Sequence, residues 1–312
     1  MTDIIKIDQL SPSLYLTWVV NNICTNSCSY CPPDLHNGKN THYEWEDAER
    51  FSKYLISKYS KIQLALSGGE PTISPWFKDL VKLYSDSGNP TGMTTNGART
   101  IRYYDEISKY MSYIVMSYHP SFEDPELLDK ALACSKNTLT TISVMFDSRY
   151  FNKSLEFYEK AKIYSSISLQ PIMIQYWPGV ETTAGRDYTE DQLSILKNLT
   201  TIEASEITMP KNLGEMGGIA TYDNGTISRF DAQILINNKK TNFFGWECDI
   251  GMESLFVRYD GTIKTANCNS AKIIGNLNKF EEIEWPDKTF ICPQTFCHCT
   301  TDVYVSKRLK NV

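Results

Sequence analysis

Between residues 13 and 174, short apolar runs rich in β-branched side chains alternate with longer stretches whose apolar residues recur every three or four positions. The first pattern suits strands and the second amphipathic helices. Six strands are predicted: LYLTWVVN (14–21), IQLALS (62–67), TGMTTN (91–96), YIVMSY (113–118), TTISVMF (140–146) and ISLQPIMI (167–174). Helices are predicted over 43–59, 75–87, 101–111, 124–136, 153–165 and 189–199, the last opened by Thr189 before Glu190, Asp191 and Gln192 as a capping box. Repeated β-α units imply a parallel sheet. The fold class expected is α/β, a partial (βα)6 TIM-like barrel, with ligands at the C-terminal ends of the strands.

Beyond about residue 205 the pattern changes. Glycines gather in NLGEMGG (212–218), the helical period fades, and LFVRYDGTIKTANC (255–268) alternates about Asp260-Gly261 as a hairpin. The expected division is a barrel over residues 1–204, a bridging segment over 205–245 and a small hairpin-plus-helix module over 246–312. No solenoid repeat or low-complexity segment is evident.

The composition is globular, with 41% hydrophobic and 22% charged residues and 19 tyrosines among 312 residues. A net charge of -6 weighs against a chain that coats DNA. Neither a signal-like apolar run nor a membrane-length one is present, so a cytoplasmic protein is expected. The sequons at Asn198 and Asn224 are discounted for the same reason.

Nine cysteines change the picture most. An odd number suits a complete disulfide framework badly, and they cluster: Cys24, Cys28 and Cys31 early, and Cys248, Cys268, Cys292, Cys297 and Cys299 late. Cys134, in the helical stretch LLDKALACS, reads as a small buried hydrophobe. The early three fall in ICTNSCSYCPP, in the loop leaving the first predicted strand, and no neighbouring His or Cys completes a tetrahedral zinc site. Three ligands with a fourth position open suit a centre that takes a substrate or cofactor, and clustered thiolates suit iron-sulfur chemistry.

The spacing CxxxCxxC, with Tyr30 before the last cysteine, resembles the signature of the radical S-adenosylmethionine (radical SAM) superfamily. The resemblance implies a 4Fe-4S cluster on Cys24, Cys28 and Cys31, with SAM on the open iron. Gly68-Gly69-Glu70-Pro71, following the second strand, is similar to the family's GGE motif, which hydrogen-bonds the SAM amino group. Thr95 and Asn96 after strand three, Ser117 on strand four, Ser143 on strand five, and Gln170 and Pro171 on strand six resemble positions around the rest of SAM.

Cys248, the hairpin ending at Cys268, Ile274-Gly275-Asn276, Cys292 and Cys297-His298-Cys299 resemble the shortened SPASM module called Twitch. That implies one auxiliary iron-sulfur cluster, 4Fe-4S, held by four of the five cysteines, with Cys248, Cys268, Cys297 and Cys299 favoured. CxxxxCxC departs from the CxxC common in the family, so the spare cysteine is open. A zinc site of four cysteines, or of three with His298, is the plainer alternative.

The function implied is reductive cleavage of SAM to a 5'-deoxyadenosyl radical that abstracts hydrogen from a peptide or small-molecule substrate, with net oxidation aided by the auxiliary cluster. Redox-neutral epimerisation and a non-catalytic zinc-bound scaffold are the alternatives. A flavodoxin or ferredoxin is the implied electron donor. About a dozen residues precede the first strand, which weighs against an N-terminal peptide-recognition domain. Tyr176 and Trp177 are candidate pocket residues. No general base is identified, Glu181, Asp249 and Asp260 being candidates by location alone, and His36, His42 and His119 read as loop or surface residues.

Overall fold

The structure, a computed structural model, describes residues 3–10, 14–38, 43–174, 185–206 and 217–310. Its elements in chain order are β1 (Ile4–Gln9), β2 (Leu14–Val19), α1 (Trp45–Lys58), β3 (Ile62–Ser67), α2 (Phe77–Asp86), β4 (Thr91–Thr95), α3 (Ile101–Ile107) and β5 (Tyr113–Tyr118). Then come α4 (Leu127–Ser135), β6 (Leu139–Phe146), α5 (Phe151–Ala161), β7 (Ser168–Met173), α6 (Glu190–Glu206), β8 (Gly218–Tyr222), β9 (Ile227–Phe230) and α7 (Ala232–Asn237). The chain finishes with β10 (Glu247–Cys248), β11 (Ser254–Val257), β12 (Thr262–Lys264), β13 (Ile273–Asn276), β14 (Phe290–Ile291), α8 (Thr300–Tyr304) and β15 (Lys307–Arg308).

The six predicted strands are β2 to β7, paired in parallel and in sequence order. Helices close over them because their apolar residues share a face. Ala48, Phe51, Ser52 and Leu55 of α1, and Phe77, Leu80, Val81 and Tyr84 of α2, follow the i, i+3, i+4, i+7 spacing and are buried. Thr189 opens α6 as a reciprocal box: its hydroxyl accepts from the Gln192 N–H at 3.3 Å and its own N–H donates to Gln192 Oε1 at 3.0 Å.

The sheet does not stop at β2. Its order is β13-β12-β11-β2-β3-β4-β5-β6-β7, so the late hairpin joins the barrel through β11, parallel to β2. A second, antiparallel sheet runs β14-β10-β15-β1-β8-β9, pairing the N-terminal strand with the C-terminal one. The curved sheet is open: among the described residues β7 and β13 are its edges.

β2 separates two cores. Leu14, Leu16 and Trp18 point into the barrel core with Phe51 and Tyr84, whereas Tyr15 points into the other with Phe243, Val303 and Tyr304. Alternation of side chains along a strand makes this possible. No helix among the described residues is long and apolar enough to cross a membrane.

Candidate functional site

The loop after β2 carries Cys24, Cys28 and Cys31 across the C-terminal ends of the parallel strands. Backbone contacts tie it to the turn after β3: Gly69 N–H donates to Asn21 O at 2.9 Å and Glu70 N–H to Ile23 O at 2.7 Å. The glycine is required by this approach. A Cβ at Gly69 would lie 2.3 Å from Ile23 O and 2.4 Å from Leu35 O, and one at Gly68 2.9 Å from Asn21 O.

Glu70 is fully buried. Its Oε1 accepts from Thr72 N–H (3.1 Å), Thr72 Oγ1 (2.5 Å) and Thr95 Oγ1 (2.8 Å), and its Oε2 from Asn96 N–H (2.7 Å). Burial raises its pKa, and these hydrogen bonds pull it back. The carboxylate is thus a tie between the ends of β3 and β4. Pro71 opens a 3-10 turn over Pro71–Ile73, capped by that same carboxylate. Asn96, so positioned, donates from Nδ2 to Cys24 Sγ at 3.4 Å and to Thr25 Oγ1 at 3.0 Å.

The strand register gathers further residues. Ser117 stands opposite Ser143, and Ser143 opposite Gln170, forming one row across β5, β6 and β7. Ser143 Oγ lies 3.4 Å from Gln170 Oε1. Pro171, the next residue, is buried and belongs to the opposite face of β7 by alternation.

Two residues at the early cysteines were not singled out as site residues by sequence. His119 follows β5, and its Nδ1 lies 2.7 Å from the Tyr30 hydroxyl and 3.5 Å from Cys28 Sγ, with the two rings stacked at 6.0 Å. It has partners, so the reading of it as a plain loop or surface residue is corrected; the contact spans 89 residues and left no local trace. Burial lowers His119 to about 4 and raises Tyr30 well above its usual range, so at pH 7 the ring is neutral and the phenol keeps its proton. Arg149 clamps the loop from the far side, donating to Ser29 Oγ at 2.8 Å and pairing with buried Asp147 at 2.5 Å.

Burial pushes Cys28 up to about 11 and Cys31 to about 12, with the neighbouring cysteines adding to it, and also raises Cys24. Three thiols that resist ionisation alone and repel one another as thiolates are what a bound cation relieves. The donor set fits an iron-sulfur cluster with three protein ligands.

The late cysteines surround a cavity of about 330 Å³, mouth included, lined by Cys248, Cys268, Cys292, Cys297, Asp302 and Lys307 among others. Cys299 is absent from the lining; it caps α8, and its sulfur accepts from Asn267 Nδ2 at 3.6 Å. Burial pushes Cys248 up to about 11, Cys299 to about 12 and Asp302 to about 6, and raises Cys268 and Cys297. Four sulfurs round one space also fit a cluster. Among the described residues, no three His, Cys, Asp or Glu side chains gather closely enough to hold a single ion.

Of the other candidates, Asp249 and Asp260 are placed by structure. Asp249 Oδ2 lies 3.4 Å from Arg308 Nη1, and Asp260 Oδ1 accepts from Thr262 N–H at 3.0 Å in the hairpin turn. Cys134 is buried in α4 as expected. His42, Tyr176, Trp177 and Glu181 lie outside the described residues.

Residues 18–140 match the family profile described as Radical SAM superfamily. Streptococcus suis SuiB is similar in structure, with a TM-score of 0.54 at 16% identity over 86% of this chain and 64% of that one. The same protein bound to its precursor peptide SuiA gives 0.56 at 16% identity over 89% and 66%. anSMEcpe with bound AdoMet and Kp18Cys peptide gives 0.56 at 16% identity over 88% and 81%. The chain spans less than two thirds of the SuiB length, and no curated protein matches it. At such identity the likeness shows the fold alone; the segment that bears the cysteine loop and the GGE turn, residues 18–140, is the part of the chain that matches the radical SAM superfamily.

Proposed function

We propose that this chain is a radical SAM enzyme that acts on a peptide, with a second iron-sulfur cluster in its C-terminal part. The observation that carries the reading is the cysteine loop seated against Asn96 and the glycine turn, at the C-terminal edge of a parallel sheet. When bound, a 4Fe-4S cluster at Cys24, Cys28 and Cys31 supplies the electron that cleaves SAM to a 5'-deoxyadenosyl radical.

The chain's own part is to bind and orient. Gly68, Gly69 and the Glu70 backbone shape the turn for the SAM amino group, while the Glu70 carboxylate fixes Thr95 and Asn96. The row Ser117, Ser143 and Gln170 presents polar atoms to the ribose and adenine. Tyr30, stacked on His119, packs with Cys28 and Ile174 and narrows the access of water.

Peptide as substrate class is favoured because SuiB is bound to a precursor peptide and anSMEcpe to a peptide in similar structures. Cys248, Cys268, Cys292 and Cys297, which line one cavity, rather than Cys299, are the proposed thiolate donors that would hold the auxiliary cluster, a group that would supply one-electron acceptance for a net oxidation. The functional division follows residues 1–204, 205–245 and 246–312, with a flavodoxin or ferredoxin as donor in the cytoplasm. Anaerobic reconstitution tests this. About eight irons per chain and reductive formation of 5'-deoxyadenosine are expected; about four irons would remove the auxiliary cluster, and a loaded first cluster that never cleaves SAM would remove the enzyme.

A further inference from the structure

His119 leaves the end of β5 and meets the first cysteine loop through one ring nitrogen. Its Nδ1 lies 2.7 Å from the Tyr30 hydroxyl and 3.5 Å from Cys28 Sγ. The same hydroxyl is hydrogen-bonded to Cys28. Cys28 and Tyr30 are 5% and 6% exposed, so little water competes for these three atoms. The ring is also held from its own main chain. Pro120 disfavours a helical backbone at His119, and the His119 carbonyl accepts from Phe122 N–H at 2.9 Å.

The number of protons fixes which way these hydrogen bonds run. A cysteine that ligates iron is a thiolate, which only accepts. The phenol brings one proton, and a neutral imidazole brings one on either Nδ1 or Nε2. With that proton on Nε2, a phenol donating to Nδ1 takes its donor away from Cys28, and a phenol donating to Cys28 leaves two lone pairs opposed at 2.7 Å. With the proton on Nδ1, the imidazole donates to the phenol oxygen and the phenol donates to the sulfur. Only this arrangement serves all three atoms around a thiolate.

We propose that His119 is a positioning residue for the first cluster: its Nδ1–H orients the Tyr30 hydroxyl so that the phenol proton is given to the sulfur of Cys28. The inference rests on the reading of Cys24, Cys28 and Cys31 as cluster ligands. A hydrogen bond to a ligand sulfur offsets the negative charge that reduction adds, so it raises the midpoint potential and eases delivery of the electron. Cys24 is served separately, its sulfur accepting from Asn26 N–H and Asn96 Nδ2, both at 3.4 Å.

The test is a redox titration of the anaerobically reconstituted full chain, followed by electron paramagnetic resonance. The signal whose g-values move on adding SAM belongs to the cluster with the open iron, and its potential is read without SAM. Tyr30→Phe, which lacks only the phenol oxygen, should lower that potential by about 59 mV, a tenfold change in the one-electron equilibrium. His119→Gln, whose amide reaches towards the place of Nε2, should lower it too. His119→Asn, whose amide N–H stands in for Nδ1–H, should keep the wild-type value, a distinction that packing alone would not make. Tyr30→Phe combined with His119→Gln should fall no lower than Tyr30→Phe alone, since the ring acts through the phenol. An unmoved potential in Tyr30→Phe, equal potentials in His119→Gln and His119→Asn, or a double variant shifted by the sum of both would overturn the relay and leave the cluster in place. A wild type without a SAM-responsive signal would remove the first cluster, and the relay with it.

Discussion

Glu70 shows how a side chain can be named by sequence while its direction is not. The GGE resemblance pointed to it as a partner for an ammonium, yet both oxygens turn inward to Thr72, Thr95 and Asn96, and only the structure reveals that Asn96 in turn touches Cys24. Hydrogen-bond direction depends on neighbours 25 and 26 residues away, which no local spacing encodes. Two of its donors are main-chain N–H groups that cannot become acceptors. Glu70→Gln therefore sets an amide NH2 against a donor, and is expected to lower unfolding free energy by about 2 to 4 kcal/mol. Denaturant unfolding of the metal-free chain checks this; an unchanged midpoint would show that the carboxylate is not the tie described.

Elements were legible where the period was long and the pairing local. β3 and β5 begin and end as the hydrophobic pattern predicts, and the Asp260-Gly261 turn joins β11 to β12 antiparallel. β1, β10, β14 and β15 were missed because three of them have two residues each and because β1 pairs with β15 across some 300 positions. Short strands bury too little to leave a pattern, and their existence is set by the sheet they join. The glycines after β3 were legible as a turn, but the reason for Gly69 is the backbone of the cysteine loop pressed against it. Gly69→Ala would drive a Cβ into two main-chain carbonyls that cannot move aside. Its expected outcome is loss of iron from the first centre with the C-terminal centre still loaded. Gly88→Ala, with a φ of +74° but open space around it, should cost only about 1 kcal/mol and leave both centres filled. Iron counting on the two variants separates the outcomes, and full loading of Gly69→Ala would contradict the packing account.

At the scale of the whole molecule, two cysteine sites are served by two cores that share β2. The late hairpin extends the barrel sheet through β11, and Leu255, Val257 and Ile263 enter the barrel core. In return, β1 pairs with β8 and β15 beside the late cysteines. Further ties run between them: Tyr259 donates to Asp34 Oδ2 at 3.2 Å, just beyond the first cysteine loop. Composition and spacing could announce two cysteine groups. They could not show that the chain returns to its own first strands to build both sites, since that is a property of topology. In the proposed function, Cys24, Cys28 and Cys31 hold a cluster whose open iron binds SAM. The most direct test is 5'-deoxyadenosine and methionine formation from SAM by the anaerobically reconstituted, dithionite-reduced chain, beside Cys28→Ala loaded in the same way. Equimolar products from the wild type and none from Cys28→Ala, with iron retained at the C-terminal centre, are predicted; equal product from both, or none from a wild type with its first centre filled, would contradict it.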